Sequence, residues 1–478
     1  MAIKLSDHFT YKKLFKAVIP SVLMMLFTSL YTIVDGVFVS NLVGKTPFAA
    51  LNLIWPVISI IGAIGFMLGA GGSALVAKTL GEGDAQRANK IFSMVVYFTA
   101  ALGAVFSVVG AVIVEPIAIA LGATPEMLPY CVEYGRILLA GEIVFMLQVL
   151  FNSFFIVAEK PLLGFAVSII SGTLNIIFDA VFIAGFKWGI SGAAAATLIG
   201  QVVGTVIPII YFSVKNKSLL RLVPAKLELR PLLRASANGA SEFLSNISMS
   251  LVNMLYNIQL LKYIGEDGIV AYGVMLYLAF IFSSIFLGYS IGSAPLIGYH
   301  YGAQNHGELK NLLKKSLIIM TVTGVLVTAL AEGLARPLSM IFVSYDAALL
   351  DMTTFGLRIY SVSFILVGVN IFASSFFTAL NNGLVSGIIS LARTLLFQIF
   401  AIMVMPLIAG INGIWSAVIV AEGLAIIVSI IFFAVCAKRY HYEKFYLRRY
   451  DDSVLQTSSD KQVPMPQNDE TIDDENKE

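Results

Sequence analysis

Residues 168–183 read SIISGTLNIIFDAVFI, an apolar run that carries two polar side chains, Asn175 and Asp179. These two residues are four positions apart, so a helix presents both on one face, about one turn apart. The run around them is apolar enough to form part of a membrane span of roughly 20 residues. An Asp at the centre of such a helix costs about 2.5 to 3.5 kcal/mol, so a retained one indicates an ion- or proton-handling site in a membrane protein. The alternative is a structural polar pair that joins two helices by hydrogen bonds.

The composition of the whole chain supports a membrane protein. Of its 478 residues 58% are hydrophobic and 13% are charged, whereas average soluble chains carry about 25% charged residues. The predicted fold class is therefore an all-α polytopic membrane protein. Apolar runs of roughly 20 residues or more predict twelve transmembrane helices, near residues 14–40, 50–77, 92–114, 131–157, 162–184, 190–213, 236–263, 270–299, 311–333, 353–380, 385–408 and 413–437.

The distribution of basic residues predicts the orientation in the membrane. An even number of spans places both termini on one side, and the cytoplasmic side carries the excess of Lys and Arg. Placing both termini in the cytoplasm puts most Lys and Arg residues there and one, Arg393, within a span. The loops on the other side then hold only Lys45, Arg136, Lys187, Lys262, Arg336 and Arg358.

Short matches at a nearly constant spacing indicate an internal repeat. They pair Gly44 with Gly265, residues 72–74 with 292–294, 154–155 with 376–377, and 189–192 with 410–413. Six spans in each half predict two pseudo-symmetric six-helix bundles related by an axis along the membrane normal. The predicted organisation is an N-lobe (1–214), a cytoplasmic linker (215–235), a C-lobe (236–437), a basic juxtamembrane segment (438–450) and an acidic, disordered tail (451–478).

A second acid, Asp35 in the first span, lies at a depth similar to that of Asp179 in the fifth. If the two approach each other, they cannot both stay ionised without a cation between them. Asn175 and Thr197 add neutral oxygen atoms, and hard cations such as Na⁺ take oxygen ligands. The repeat places Tyr256 at the position of Asp35 and Phe400 near that of Asp179, so the pattern predicts an H⁺ or Na⁺ site in the N-lobe alone.

Other residues are candidates for a substrate cavity between the lobes. Glu142 and Glu242 would make that cavity negative and suit a cationic substrate, while Phe145 and Met275 offer an adaptable apolar lining. Gln201 lies one turn beyond Thr197 and faces either the cavity or a neighbouring helix. Arg393 contacts substrate or forms an ion pair with Glu422. Pro20 removes a backbone hydrogen bond from the helix that carries Asp35 and is expected to bend or loosen it.

Enzyme signatures are missing from the sequence. It contains no HExxH motif, no phosphate-binding Walker loop and no neighbouring Cys and His. These absences predict a protein that is not an enzyme, needs no cofactor and binds no nucleic acid, and they leave an ion gradient as the energy source for transport.

The sequence resembles the multidrug and toxic compound extrusion (MATE) family, in its bacterial multidrug efflux branch. The resemblance rests on Asp35-Gly36, Gly81-Glu-Gly-Asp84 with Ala88, Ala158-Glu-Lys-Pro161, Asn175-Ile-Ile-Phe-Asp179 and Gly189-Ile-Ser-Gly-Ala193. It implies a V-shaped pair of bundles, active as a monomer in the bacterial cell membrane, that exports cationic amphipathic drugs in exchange for H⁺ or Na⁺. It also implies a cation site at Asp35, Asn175, Asp179 and Thr197, with Tyr134 alongside and Pro20 as the bend.

Two other functions fit part of the sequence. A flippase for lipid-linked precursors would line its cavity with Lys or Arg, and only Arg393 is placed to do so. A receptor or scaffold that transports nothing would have no use for two carboxyls at matched depth.

Overall fold

A computed structural model describes residues 3–442, and their regular secondary structure is entirely helical. Most of the predicted juxtamembrane segment and the whole acidic tail lie outside the described residues. The α-helices are α1 Tyr11–Phe38, α2 Lys45–Gly81, α3 Ala85–Ala120, α4 Leu128–Ala140, α5 Glu142–Val157, α6 Pro161–Asp179, α7 Ile190–Ser213, α8 Leu229–Tyr263, α9 Glu266–Gly302, α10 His306–Val343, α11 Ala347–Ser361, α12 Phe364–Ala379, α13 Gly383–Leu391 and α14 Phe397–Cys436. Wider π-helical turns form Val39–Val43, Ala180–Gly185 and Ala392–Leu396.

Within residues 3–442, eight helices are long and apolar enough to cross a membrane, or ten if each bent pair is counted as one span. The bent pairs are α4 with α5, at 54°, and α11 with α12, at 49°. The helix α8 is not among them because Ser and Asn residues lower its hydropathy, and residues 383–436 count as one span. Gly410 interrupts the last span with a positive φ of 57°. An all-helical membrane fold is confirmed, while the number twelve stays a prediction.

The two halves meet through α1 and α2 on one side and α8 and α9 on the other. Glycine allows the backbones to touch at these crossings. A Cβ atom added to Gly71 would lie 1.9 Å from the Ala235 carbonyl oxygen, and one added to Gly302 would lie 2.0 Å from that of Lys78. Within the described residues, every approach this close between the halves is near the face at which α1 begins and α14 ends, called here the terminal face. The lobes therefore form a V that is closed at the terminal face.

The segment before α1, residues 3–10, lies across this closed face and joins the two halves. The Leu5 N–H donates to Glu159 Oε1 (2.6 Å) in the N-terminal half, and the Phe9 N–H donates to Glu308 Oε1 (2.9 Å) in the C-terminal half. The side chains of Leu5 and Phe9 are buried. Burial raises the pKa of the Glu159 carboxyl, although the Leu5 hydrogen bond opposes this shift.

Glu308 is the centre of the second anchor. Its other carboxylate oxygen lies 2.6 Å from His8 Nδ1, and Asn311 Nδ2 donates both to Glu308 and to the Phe9 carbonyl. Lys315 donates to the same carbonyl. Every hydrogen-bonding group of the Phe9 backbone therefore has a partner on α10.

Candidate ion-coupling site

Two acids of the N-terminal half lie near the ends of their helices, just before π-helical turns. Asp179 is the last residue of α6 and directly precedes Ala180–Gly185, while Asp35 lies one turn before Val39–Val43. The two π-helical segments contact each other, so the helix ends that carry the acids are neighbours. Such π-helical turns are rare and are frequently found at functional sites.

The structure brings together the five residues that the sequence assigns to an ion site. Asp35 interacts with both Asp179 and Asn175, and Tyr134 on α4 feels the charge of both acids. Asn175 Nδ2 donates to Thr197 Oγ1 on α7 at 3.3 Å. Asp179 is 0% exposed, Tyr134 1% and Asn175 4%. Four helices therefore converge on one buried polar cluster.

The oxygen atoms of this cluster are mostly without partners. Asp35 Oδ1, Asn175 Oδ1 and both carboxylate oxygens of Asp179 are buried and accept no hydrogen bond from a described residue. None of the ion pairs between described residues includes Asp35 or Asp179. Asp179 is buried and Asp35 is half-buried, and two such carboxyls without a base need a proton or a metal cation to be stable together.

The donor set suits a small hard cation as well as a proton. Carboxylate, amide and hydroxyl oxygens are the ligands that such cations prefer. Within residues 3–442, no group of three or more His, Cys, Asp or Glu side chains is arranged so that it could hold a metal ion. The cluster therefore consists of two acids supplemented by neutral oxygens.

A cavity of about 100 Å³ lies beside the cluster, mainly within the N-terminal half. Tyr31 on α1 connects the two, because it lines the cavity and also interacts with the charge of Asp35. Gln148 contributes a polar group that is fixed by its hydrogen bond to Ser171 Oγ (3.0 Å). The other lining residues are mostly apolar or aromatic: Met24, Met25, Thr28, Phe66, Phe145, Val149, Asn152, Ser153, Ser168 and Ile291.

The predicted substrate residues are not gathered around this cavity. Phe145 lines it, while Gln201 is buried on α7, one turn from Thr197. Met275 is 0% exposed and packs against Gly356 of α11, inside the C-terminal half. Glu142 is also 0% exposed and is not among the residues that line this cavity. Helical spacing alone does not distinguish a residue that faces a cavity from one that faces another helix.

Arg393 forms the ion pair that the sequence offers as its alternative role. Its Nε lies 3.0 Å from Glu422 Oε1, and Asn370 Nδ2 donates to Glu422 Oε2 at 2.8 Å. Ser429 Oγ donates to Asn370 Oδ1 at 3.0 Å, and Glu242 interacts with the charge of Arg393. We call Arg393, Glu422, Asn370 and Ser429 the C-terminal polar cluster.

Pro20 is buried within α1, which continues as one α-helix from Tyr11 to Phe38. The irregular turns of this segment occur instead at Val39–Val43, beyond Asp35. A role for Pro20 in bending stays a prediction.

Sequence reasoning missed Tyr31, Gln148 and Asn152 as lining residues. Gln148 could have been found, because it is one of the few polar residues in the central part of the fourth predicted span. Tyr31 lies four residues before Asp35, a spacing that places both on one face of α1.

Comparison with known proteins agrees with these features. The MatE family model matches the chain twice, at residues 20–181 and 243–404, once in each half. The chain is 25% identical to the multidrug export protein MepA of Staphylococcus haemolyticus and 26% identical to that of Staphylococcus aureus. These alignments cover 87% of this chain and 92% and 93% of the relatives. A multidrug resistance MATE family transporter solved in an outward-facing conformation superimposes with a TM-score of 0.86 at 23% identity, over 91% of this chain and 97% of that one.

Proposed function

The chain belongs to the MatE family of multidrug and toxic compound extrusion transporters, and we propose that it exports amphipathic, mostly cationic drugs in exchange for H⁺ or Na⁺. The observation that carries this proposal is the pair of Asp179, which is buried, and Asp35, which is half-buried, without a base and beside a mostly apolar cavity. Its relatives named multidrug export proteins support drug export in general. The protein is a multi-pass membrane transporter and not an enzyme.

Coupling follows from competition for the acidic pair. A cation or proton bound between Asp35 and Asp179 removes the repulsion of the two carboxylates and the negative charge that attracts a cationic drug. Tyr31 transmits this change, because its side chain interacts with the charge of Asp35 and also lines the cavity. Ion entry from outside thus favours drug release to the outside.

The flexible lining suits many substrates. Met24 and Met25 have unbranched, polarizable side chains that adapt to different shapes, and Tyr31, Phe66 and Phe145 add aromatic surface. A flippase for anionic headgroups is disfavoured, because Arg393 is neutralised by Glu422 rather than free to bind an anion.

The proposed cellular setting is the bacterial cell membrane. The excess of Lys and Arg on the side of the termini supports a cytoplasmic position for the terminal face. The structure then represents a state closed to the cytoplasm. The transport unit is a single chain, because both halves of the V and the acidic pair come from one polypeptide.

The test is efflux of a fluorescent cationic dye from proteoliposomes, with a pH gradient and a Na⁺ gradient imposed separately. We expect one gradient to drive dye movement and the other to have little effect. We expect Asp179→Asn to reduce coupled transport to background, while Asp351→Asn, an exposed acid of α11, transports normally. Gradient-driven transport at a normal rate by Asp179→Asn would overturn the site.

A further inference from the structure

A third acid of the N-terminal half, Glu142, is buried away from the cluster described above. It is the first residue of α5 and follows Gly141, where the 54° bend separates α4 from α5. Its side chain is 0% exposed, and neither carboxylate oxygen has a hydrogen-bond partner within residues 3–442. An unpartnered buried carboxyl is rare and calls for a specific cause.

The surroundings of Glu142 are apolar. Phe145 and Met146, three and four residues later, share its face of α5 and pack on Gly62 and Gly65 of α2. Leu198 of α7 lies against Gly141. Two hydroxyls bond to the backbone next to Glu142: Ser107 Oγ accepts the Ile143 N–H at 3.1 Å, and Thr205 Oγ1 donates to the Val144 carbonyl at 2.7 Å.

The charged groups on the surrounding helices are engaged elsewhere. On α4, Glu133 and Arg136 line an outer groove together with Glu115 of α3, and Tyr134 lies by the acidic pair. Lys78 of α2 and Arg87 of α3 pair with Glu82 and Glu228, and Lys90 is exposed. The helix α7 carries no charged residue, and Asp179 of α6 belongs to the ion cluster. No described ion pair includes Glu142.

The other half of the molecule shows that the bend itself needs no acid. The corresponding bend, between α11 and α12, has Phe364 as the first residue of its second helix. Phe364 is 1% exposed and packs against Phe282. An apolar side chain thus fills the same place where packing is the only requirement.

Two opposed effects act on the Glu142 carboxyl. Burial without a partner disfavours the charged form strongly, while the positive end of the helix at the start of α5 favours it. A change in the bend at Gly141 that admits water would shift the balance toward release of a proton. We propose that Glu142 is a second proton-binding site of the transport cycle, separate from Asp35 and Asp179. This inference rests on the proposed function.

A second proton changes the electrical character of transport. Exchange of one monovalent drug for one H⁺ moves no net charge, whereas exchange for two cations moves one positive charge inward. The membrane potential then contributes about a tenfold change in the drug ratio per roughly 60 mV.

The experiment measures, in proteoliposomes, the pH gradient at which net flux of a monovalent cationic dye is zero, at several clamped potentials. For the wild type we expect this null point to shift with potential. For Glu142→Gln we expect transport without that shift, and Glu133→Gln, an exposed acid of α4, should behave as the wild type. A potential-dependent null point in Glu142→Gln, or none in the wild type, would overturn the proposal.

Difference infrared spectroscopy covers the case in which Glu142→Gln does not transport. In the wild type and in Asp179→Asn, one protonated-carboxyl band should disappear as the pH is raised. The same band should be absent from Glu142→Gln at every pH, which assigns it to Glu142. Identical spectra for the wild type and Glu142→Gln would overturn the proposal. Normal coupling in Asp179→Asn would instead reject the proposed function, so the two failures are distinguishable.

Discussion

The two halves of the molecule have similar backbone conformations at corresponding positions, but they differ in their buried charged residues. Gly44 and Gly265 both begin long helices with positive φ values of 122° and 94°, and Gly189 and Gly410 have φ values of 62° and 57°. Glu159 and Asn381, at the same repeat spacing, have φ values of 58° and 56°. The bends of 54° and 49° also correspond. The repeat thus preserved the path of the chain, including positions that are costly for residues with a Cβ.

The repeat did not preserve the buried acids and their partners together with the backbone conformation. In the N-terminal half, both oxygens of Asp179 and Oδ1 of Asp35 lack hydrogen-bond partners among the described residues, while the C-terminal polar cluster gives each Glu422 oxygen a partner and neutralises it with Arg393. At the repeat spacing, Asp35, Tyr134, Asn175, Asp179 and Thr197 correspond to Tyr256, Phe355, Leu396, Phe400 and Val418. The proposed cation site therefore belongs to one half, while the acid of the other half is already paired with a cationic side chain, Arg393.

The strongest test of this comparison replaces, in separate variants, Asp35 and the residue at its repeat position, Tyr256. Asp35→Asn should reduce gradient-driven dye efflux to background, because one carboxyl alone neither repels its neighbour nor exchanges a cation in the same way. Tyr256→Phe should transport normally, because its buried hydroxyl has no hydrogen-bond partner to lose. Efflux from proteoliposomes with equal protein content measures both. Equal activity of the two variants would remove the functional distinction between the halves.

Replacing a buried acid by its amide should lower the stability in the C-terminal half and raise it in the N-terminal half. Glu422→Gln leaves Arg393 with only Glu242 nearby and should cost about 3 kcal/mol, the low end for a broken buried pair. Asp179→Asn removes repulsion and should raise the midpoint of thermal unfolding. The double variant Arg393→Met/Glu422→Leu should recover most of the loss. Thermal unfolding in detergent measures these changes, and a lower midpoint for Asp179→Asn would contradict the comparison.

The contact between the halves can be tested at Gly302. A Cβ there would meet the Lys78 backbone, which cannot move aside as a side chain would, so Gly302→Ala should cost about 1 to 3 kcal/mol in the closed state. The population should shift toward opening at the terminal face. The readout is alkylation of Ala77→Cys, placed against Gly298, in a background without Cys131 and Cys436.

A matched glycine on the same helix provides the control. Gly273 of α9 has open space around an added Cβ, so Gly273→Ala should leave the alkylation rate unchanged. Faster alkylation in both variants would mean that a general loosening of α9, and not contact between the halves, controls the closed face.

The smallest expected effect concerns the anchor of residues 3–10. Glu308→Gln keeps one acceptor oxygen but cannot serve the Phe9 N–H, His8 and Asn311 together, so it should cost about 1 to 2 kcal/mol. Glu82→Gln removes an exposed pair with Lys78 and should change stability by less than about 0.5 kcal/mol. Thermal unfolding distinguishes the two, and equal midpoints would show that the segment adds nothing to the closed state.

The sequence predicted the architecture and the ion cluster better than the cavity. Membrane depth follows from position along an apolar span, which is why Asp35 and Asp179 were expected at similar depth, whereas their contact was left open. The pairing of Arg393 with Glu422 followed from the cost of buried charge. The sequence of a uniformly apolar helix does not indicate which of its sides faces a cavity. Met275 was therefore assigned to the cavity, although it is buried in the core.

Bends and irregular turns within helices were the other feature that could not be predicted from the sequence. The bend at Gly141 lies within a continuous apolar run, and its effect on Glu142 depends on how α2 and α7 pack around it. The π-helical turns after Asp35 and Asp179 likewise arise from packing between helices, not from any residue type.

The segment of residues 3–10 also constrains the order in which the molecule is completed. Its anchor on α10 is separated from it by about 300 residues, as in the contact between His8 and Glu308. During synthesis these first residues leave the ribosome early, yet their partners on α10 do not exist until most of the chain has been made. The amino terminus therefore docks late in biogenesis, and it completes the closed face only after both halves have been inserted into the membrane.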